Sequence, residues 1–436
     1  MVRVRRPSRR QLLAALWPTS AAASPIPALD GVRAVAVLTV MLFHAWYKGP
    51  AAGETQQQIT SSPLWSGHTA VQFFFALSGF LLFIPYARWL LGLRAAPSTL
   101  GFYRRRVLRV GPAFWYSLCI LVCAGPLTLP RLGHAVAHVF FVFNFIPGSS
   151  WQFDEVYWTM AVEVQFYLLL PLIAWAIVAT ARRVGVPAAL VALGAAGLVV
   201  SAASAWIAHR RSPLGVVWYG LAGQYSVTLW ISAFTAGMIA SVVYVVLTRP
   251  PGAAARLRVS RRAGRAAVVA FLFCVVLVAV PPLRRLPLLT GNDGLAIGWA
   301  AGVMILGIVV GPPWLRRWLE WRPMRFIGAI SYSLYIWHLV VFAHVAPHLV
   351  GLPSAFDRVI VGFAAEVVLC VPIAFVSYHL TERPFLDRHG RRPQGGVQQQ
   401  RCHGVGSATQ TRILAPLDAS REAAATHMSM ELGDAR

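Results

Sequence analysis

Charge is scarce in this sequence. Of its 436 residues 12% are Asp, Glu, Lys or Arg and 57% are hydrophobic; a soluble domain carries roughly 25% charged residues. Mean hydropathy is +0.60. A soluble fold has too little polar surface to cover so much apolar material, which excludes an ordinary soluble enzyme, a disordered chain and a disulfide scaffold. Acid is rarer still, with 15 acidic against 39 basic residues, and lysine is all but missing: Lys48 stands alone among arginines. That bias reads as codon usage. Cysteine is sparse too, at five: Cys119, Cys123, Cys274, Cys370 and Cys402. None forms a CxxC pair, and Cys119 and Cys123 at i,i+4 suit helix packing. Neither a disulfide framework nor a zinc site is indicated.

What the chain has in abundance is long apolar runs. Ten are long enough to span a bilayer, at about 29–48, 70–91, 107–127, 158–179, 187–208, 225–247, 265–281, 294–312, 326–347 and 357–380. A shorter run, His134–Ile146, is too brief to cross and reads as re-entrant or interfacial. The expected fold is an all-α membrane protein, a bundle of about ten transmembrane helices with one short re-entrant or interfacial helix. The net charge of +24 would fit nucleic-acid binding, but the arginines cluster between the apolar runs. That is the loop excess of a multi-span membrane protein, so the expected partner is the lipid bilayer and no nucleic acid.

With ten spans, the basic arm, Arg88–Arg106, Arg182–Arg183, Arg249–Arg262, Arg316–Arg325 and Arg383–Arg392 all fall on one side, taken as cytoplasmic. Arg210–Arg211 and Arg284–Arg285 break the pattern. The expectation is a cell-membrane, multi-pass protein with both termini cytoplasmic: a basic arm over 1–28, a membrane domain over 29–386, and a disordered tail over 387–436, rich in Gly, Gln and Arg. Ser8-Arg9-Arg10 faintly resembles a twin-arginine signal, but Pro18 cuts the following apolar run short.

Charged groups inside lipid are costly unless paired or hydrated, which makes them functional candidates. Arg33 and His44 are eleven positions apart on the first span, so they share a helix face about 16 Å apart along the axis. Glu163 lies at the depth of His44 on its own span; a carboxylate there would fix the imidazole tautomer and raise its basicity, as suits a general base. Arg104, Arg105, Arg106 and Arg109 open the third span and could grip phosphate bidentately, although such a run also serves as a topology signal. His338 and Glu366 sit near the middle of the ninth and tenth spans. His134 and His138 lack a third metal ligand. Trp151, Tyr157 and Trp158 could stack on sugars or form an interfacial belt.

These residues resemble the acyltransferase 3 family of integral membrane acyltransferases. Leu29-Asp30-Gly31-Val32-Arg33 with His44 is similar to its arginine–ten residues–histidine signature. Phe73 to Phe80, Phe102 to Pro112 and Trp158 to Tyr167 resemble its second, arginine-rich and tryptophan/glutamate motifs. Gly328 to His338 and Tyr378 to Leu386 match its closing ones. Ala161 stands where a serine is frequent and Val164 where a second glutamate is frequent.

The resemblance implies transfer of an acyl group, usually acetyl, from cytoplasmic acyl-CoA (acetyl-CoA as co-substrate, no permanently bound cofactor) to a hydroxyl. The acceptor would be a cell-envelope or exported glycan, a glycolipid, or a small hydroxylated molecule such as a macrolide. It makes His44, Arg33 and Glu163 the catalytic candidates and Arg104, Arg105, Arg106 and Arg109 the CoA phosphate site. Trp158, Tyr167, His338 and Glu366 are the candidates for touching the acceptor, and no metal is expected. Direct transfer and an acyl-enzyme on His44 both remain open, and a lipid-linked glycan flippase would use the same buried charges.

Overall fold

Inside a bilayer no water is at hand for backbone N–H and C=O groups, so each span must satisfy its own. The computed structural model describes residues 26–55, 58–59, 62–146, 148–209, 225–249, 252–280 and 295–390, and all regular structure among them is helical. Most of the basic arm, the tail beyond 390, Arg210–Arg211 and Arg284–Arg285 lie outside these residues.

Nine of the ten apolar runs correspond to one helix each, and the run 326–347 is split between two. Helix α1, Pro27–Tyr47, starts with proline in its first turn, where the missing N–H would have had no helical partner. A 3₁₀ run, Pro63–Ala70, capped by the Ser62 hydroxyl, leads into α2, Val71–Leu90. Helix α3, Thr99–Cys123, starts at Ser98, whose Oγ accepts from the Gly101 N–H at 3.1 Å. It begins earlier than the apolar run alone indicates, so its arginines are helical residues. Helix α4, Leu129–Val139, is the short one; the rest of the 134–146 run is turn and 3₁₀. Next come α5, Trp158–Val184, and α6, Val186–His209. Between them sits Gly185 with φ +85°, a positive φ that glycine, lacking a Cβ, adopts freely. Helices α7, Val227–Leu247, α8, Ala253–Ala279, and α9, Leu295–Val310, follow. Then come α10, Arg322–Ala329, α11, Ser331–Val345, and α12, Ala355–Ser377. A π-helical turn, Tyr378–Glu382, passes into α13, Arg383–Gly390.

Seven helices among the described residues are long and apolar enough to cross a membrane, or eight if α10 and α11 with its 3₁₀ extension, bent by 74°, form one span. Helix α9 is apolar but shorter, and the first half of α8 carries Arg256, Arg258, Arg261, Arg262 and Arg265.

Apolar tails attract apolar side chains as well as another helix does, so close backbone packing holds such bundles together. Helix α2 lies along α7, and α7 packs on α6 and α9. The α2–α7 contact is reciprocal: a Cβ on Gly79 would sit 2.1 Å from the Phe234 oxygen, and one on Gly237 would sit 2.0 Å from the Ala76 oxygen. Phe75 and Phe166 stack on Phe234 with centroids 4.8 and 3.9 Å away, pinning α5 to this pair. Helix α10 and the turn before it meet the start of α1 equally closely, with Gly328 against the backbone of Asp30 and Gly31 against Leu319. Helices α11 and α12 pack together and both touch α1. This places α1, with Arg33 near one end and His44 near the other, among α2, α11 and α12.

Candidate active site

A cavity of about 740 Å³ opens between α1, α2, α3, α5 and α11. One wall is apolar and comes mainly from α2: Val71, Phe74, Phe75, Leu77, Leu81, Leu82 and Ile84. The polar lining comes from Ser78 on α2 itself and, from the other helices, Arg33, Arg106, Arg109, Glu163, Tyr167, Tyr332 and Tyr335. Exposed Arg88 and Arg105 stand at its rim. Guanidinium groups therefore run from the surface inward and outnumber the one carboxylate on the wall. A chamber lined by both guanidinium groups and apolar side chains suits a ligand with phosphates at one end and an uncharged arm at the other.

Each inner arginine is held by a partner. Arg33 Nη1 meets the buried Asp30 carboxylate, one turn away, at 3.3 Å. Arg109 Nη1 is 3.0 Å from Glu382 Oε2, and the other oxygen of that buried carboxylate accepts from Ser333 Oγ at 2.6 Å. Arg106 lies over the Phe102 and Tyr167 rings, 6.0 and 5.9 Å from their centroids. Glu163 accepts from Ser78 Oγ at 2.5 Å, and Tyr167 is among its electrostatic neighbours. Its electrostatic neighbours include Arg33 and Arg106.

The second feature is a pair of histidines at the far end of α1. His44 Nδ1 and His338 Nε2 are 3.0 Å apart. His338 Nδ1 lies 2.8 Å from the Tyr335 carbonyl, and His44 Nδ1 lies 3.1 Å from that of Val40. Carbonyl oxygens only accept, so we assign the hydrogen to Nδ1 in both rings, the single His44 Nδ1–H being shared between the Val40 carbonyl and His338 Nε2. His338 Nε2 is then the acceptor for His44 Nδ1–H, and neutral His44 is left with a bare Nε2. That nitrogen faces Glu155 Oε1 at 3.8 Å, and Lys48 Nζ donates to Glu155 Oε2 at 2.7 Å.

The expected partner of His44 was Glu163; the structure gives it Glu155 instead. Glu163 turns into the arginine-lined cavity, where Ser78 Oγ donates to it. The expected common tunnel is also divided. Arg33 lines the cavity, whereas His44 and His338 are not among its walls. Tyr335 closes that side: its hydroxyl is 3.0 Å from Thr159 Oγ1, and its ring centroid is 5.6 Å from that of His338.

The other candidates divide similarly. Arg105, Arg106, Arg109 and Tyr167 line the cavity, while Arg104 is exposed outside it. Trp158 packs on Trp230, Tyr225 and Phe75 at 5.5, 5.8 and 6.4 Å and does not reach the cavity. Glu366 is wholly buried in α12, away from the cavity, and neither carboxylate oxygen has a hydrogen-bond partner. Two residues the sequence reading passed over, Glu155 and Lys48, stand beside His44. Glu155 lies in a 3₁₀ turn without periodicity; the solitary lysine was the one available signal.

The acyltransferase domain family profile matches residues 26–378, and the chain belongs to that family, the acyltransferase 3 family its motifs resemble. It is similar to O-acetyltransferase OatA of Staphylococcus aureus, 25% identical over 386 residues, which cover 82% of this chain and 57% of the relative. It is also similar to peptidoglycan O-acetyltransferase OatA of Listeria monocytogenes, 25% identical over 384 residues, covering 82% of this chain and 55% of the relative. The chain thus spans little more than half the length of the relatives it matches. No solved structure matches it.

Proposed function

We propose that this chain is a membrane O-acyltransferase that carries an acyl group, acetyl as in the names of its relatives, from acyl-CoA to a hydroxyl of a cell-envelope or exported glycan or glycolipid. Peptidoglycan is the acceptor named for the Listeria relative. The CoA phosphates meet Arg88 and Arg105 at the rim and Arg106, Arg109 and Arg33 within, while the pantetheine arm lies along the apolar α2 wall. We assign the arginine-lined end, and both termini, to the cytoplasmic side, a reading supported by the arginine-rich connections.

The acceptor approaches from the other end of α1. His44 Nε2 removes the hydroxyl proton as the oxygen attacks the thioester carbonyl; the new C–O bond forms and the C–S bond breaks. CoA leaves as the thiolate and takes up a proton. Tyr335, between the cavity and His338, is the side chain that must admit the thioester.

The observation that carries this reading is the order of hydrogen bonds from Tyr335 O through His338 to His44 Nδ1, which leaves Nε2 free as a base. The test uses the full chain in vesicles with labelled acetyl-CoA and a peptidoglycan fragment. Release of free CoA coupled to ester formation, abolished in His44→Ala, is expected. A flippase would release no CoA, and undiminished transfer by His44→Ala would remove the base from the mechanism.

A further inference from the structure

His44 has four charged or titratable neighbours at its open end: His338 from α11, His68 from the 3₁₀ run before α2, Lys48 just beyond its own helix, and Glu155 from the turn before α5. Asp154 stands beside Glu155. Among the described residues, Glu155 is the carboxylate within ion-pair range of His44. Its Oε1 is 3.8 Å from His44 Nε2, too far for a hydrogen bond yet close for an ion pair. The attraction therefore grows when a proton arrives on Nε2 and the ring becomes cationic, which is the condition for favouring a transition state over a ground state.

Lys48 makes this arrangement definite. It joins Glu155 Oε2 at 2.7 Å across 107 positions of chain, leaving Oε1 to face His44. Side-chain exposure climbs along the series, from 12% for His44 through 18% for Glu155 to 40% for Lys48. The carboxylate thus stands where the buried base meets the outside, in a weakly screened place where a charge pair counts for more.

We propose that Glu155, clamped by Lys48, is a positioning residue of the transfer that acts through His44: it stands opposite Nε2 and offsets the positive charge the ring gains with the acceptor's proton. The proposal rests on the reading of His44 as the base. Neither residue lies in the motifs that carry the family resemblance.

The test expresses the full chain in cells deleted for the gene. It measures ester-linked acetyl on envelope glycans, then kcat, KM for acetyl-CoA and the thermal midpoint of the purified protein. With wild type active and His44→Ala inactive, Glu155→Gln should lower kcat by roughly tenfold or more with KM for acetyl-CoA and the thermal midpoint unchanged. Glu155→Asp should recover part of the rate, because it restores a carboxylate.

The exchange Lys48→Glu with Glu155→Lys keeps the ion pair, and with it the fold, but sets a cation against Nε2. It should retain the wild-type thermal midpoint and lose transfer, even if Glu155→Gln alone proves unstable. Wild-type kcat in Glu155→Gln or in the exchanged pair would overturn the assignment and leave the acyltransferase reading standing. Absence of transfer by the wild type, with or without these substitutions, would overturn both.

Discussion

His44 and His338, 294 positions apart, meet through one nitrogen of each ring at 3.0 Å, and the carbonyls of Val40 and Tyr335 against the two Nδ1 atoms assign the donor in that contact to His44 and leave its Nε2 bare. His338 is fully buried and takes its own orientation from the Tyr335 carbonyl. Its role in the proposed chemistry is to accept a hydrogen bond, and that can be lost in steps. His338→Ala removes the acceptor, but the Val40 carbonyl still holds Nδ1–H. We expect kcat to fall by about 10- to 100-fold, less than the loss of about 10²- to 10⁴-fold expected for His44→Ala. His338→Gln, which can present an amide oxygen in place of the ring nitrogen, should fall between. Steady-state kinetics on the three variants gives the order, and a His338→Ala enzyme as slow as His44→Ala would make His338 more than an acceptor.

The arginines of the cavity should separate into those that bind the donor and those that also hold the fold. Arg109 faces Glu382, which is wholly buried. Arg109→Gln leaves that carboxylate without its cation, a change that costs about 3–5 kcal/mol. The double variant Arg109→Gln with Glu382→Gln should regain most of the stability and still bind acetyl-CoA weakly. Arg106→Gln, which gives up two ring faces and no carboxylate partner, should weaken acetyl-CoA binding at nearly wild-type stability. Exposed Arg88 and Arg105 add an ionic-strength dependence, so KM for acetyl-CoA should rise with salt as screening grows. Thermal midpoints and donor titrations at two salt concentrations check all of this.

Much of this architecture was legible before any coordinates, for a physical reason. Lipid penalises exposed backbone and buried charge so heavily that the apolar runs mark helices and the rare charges inside them mark candidate residues, although seven or eight of those helices, among the described residues, are long and apolar enough to cross. Arg33, Arg105, Arg106, Arg109, Glu163 and Tyr167 do come together around one cavity. Which carboxylate meets which imidazole was not legible. Depth along a span can be counted in residues, but the rotation of α5 about its axis depends on packing with α2 and α7 around Phe75, Phe166 and Phe234. That rotation sends Glu163 inward to Ser78, and the vacancy beside His44 is filled from a 3₁₀ turn whose sequence has no period to read.

The bundle's weakest tolerance should be at its glycines. At Gly79 and Gly237 any Cβ would meet a backbone oxygen of the partner helix at 2.1 and 2.0 Å, and backbone cannot swing aside as a side chain can. Gly79→Ala and Gly237→Ala should each push α2 and α7 apart and lower stability by about 1–3 kcal/mol or more. Gly92→Ala should cost less: a Cβ there meets nothing within 4 Å, and the penalty comes from its φ of +68° alone. Thermal unfolding in detergent distinguishes them; equal loss at all three positions would mean the α2–α7 approach is not limiting.

The cap between α4 and α5 should carry two opposed pH dependences. Burial pushes the Asp154 carboxyl up to about 7, although the Val156 N–H it accepts acts the other way. Burial pushes His138, stacked on Phe143 at 4.0 Å, down to about 4. For Asp154 the folded protein holds the proton more tightly than the unfolded chain. Its stabilising contribution is full below the unfolded value near 3.8 and is lost as pH rises toward 7. For His138 the unfolded chain holds the proton more tightly, so stability is lost as pH falls from 6.5 toward 4. Across that shared window the two largely cancel in the wild type. Asp154→Asn should expose the histidine, giving a protein that gains stability as pH rises from about 4 to 6.5. His138→Phe should expose the aspartate, giving one that loses stability between about 4 and 7. Thermal midpoints measured across this range should slope in opposite directions for the two variants, and parallel curves would place the burial of one of these groups in error.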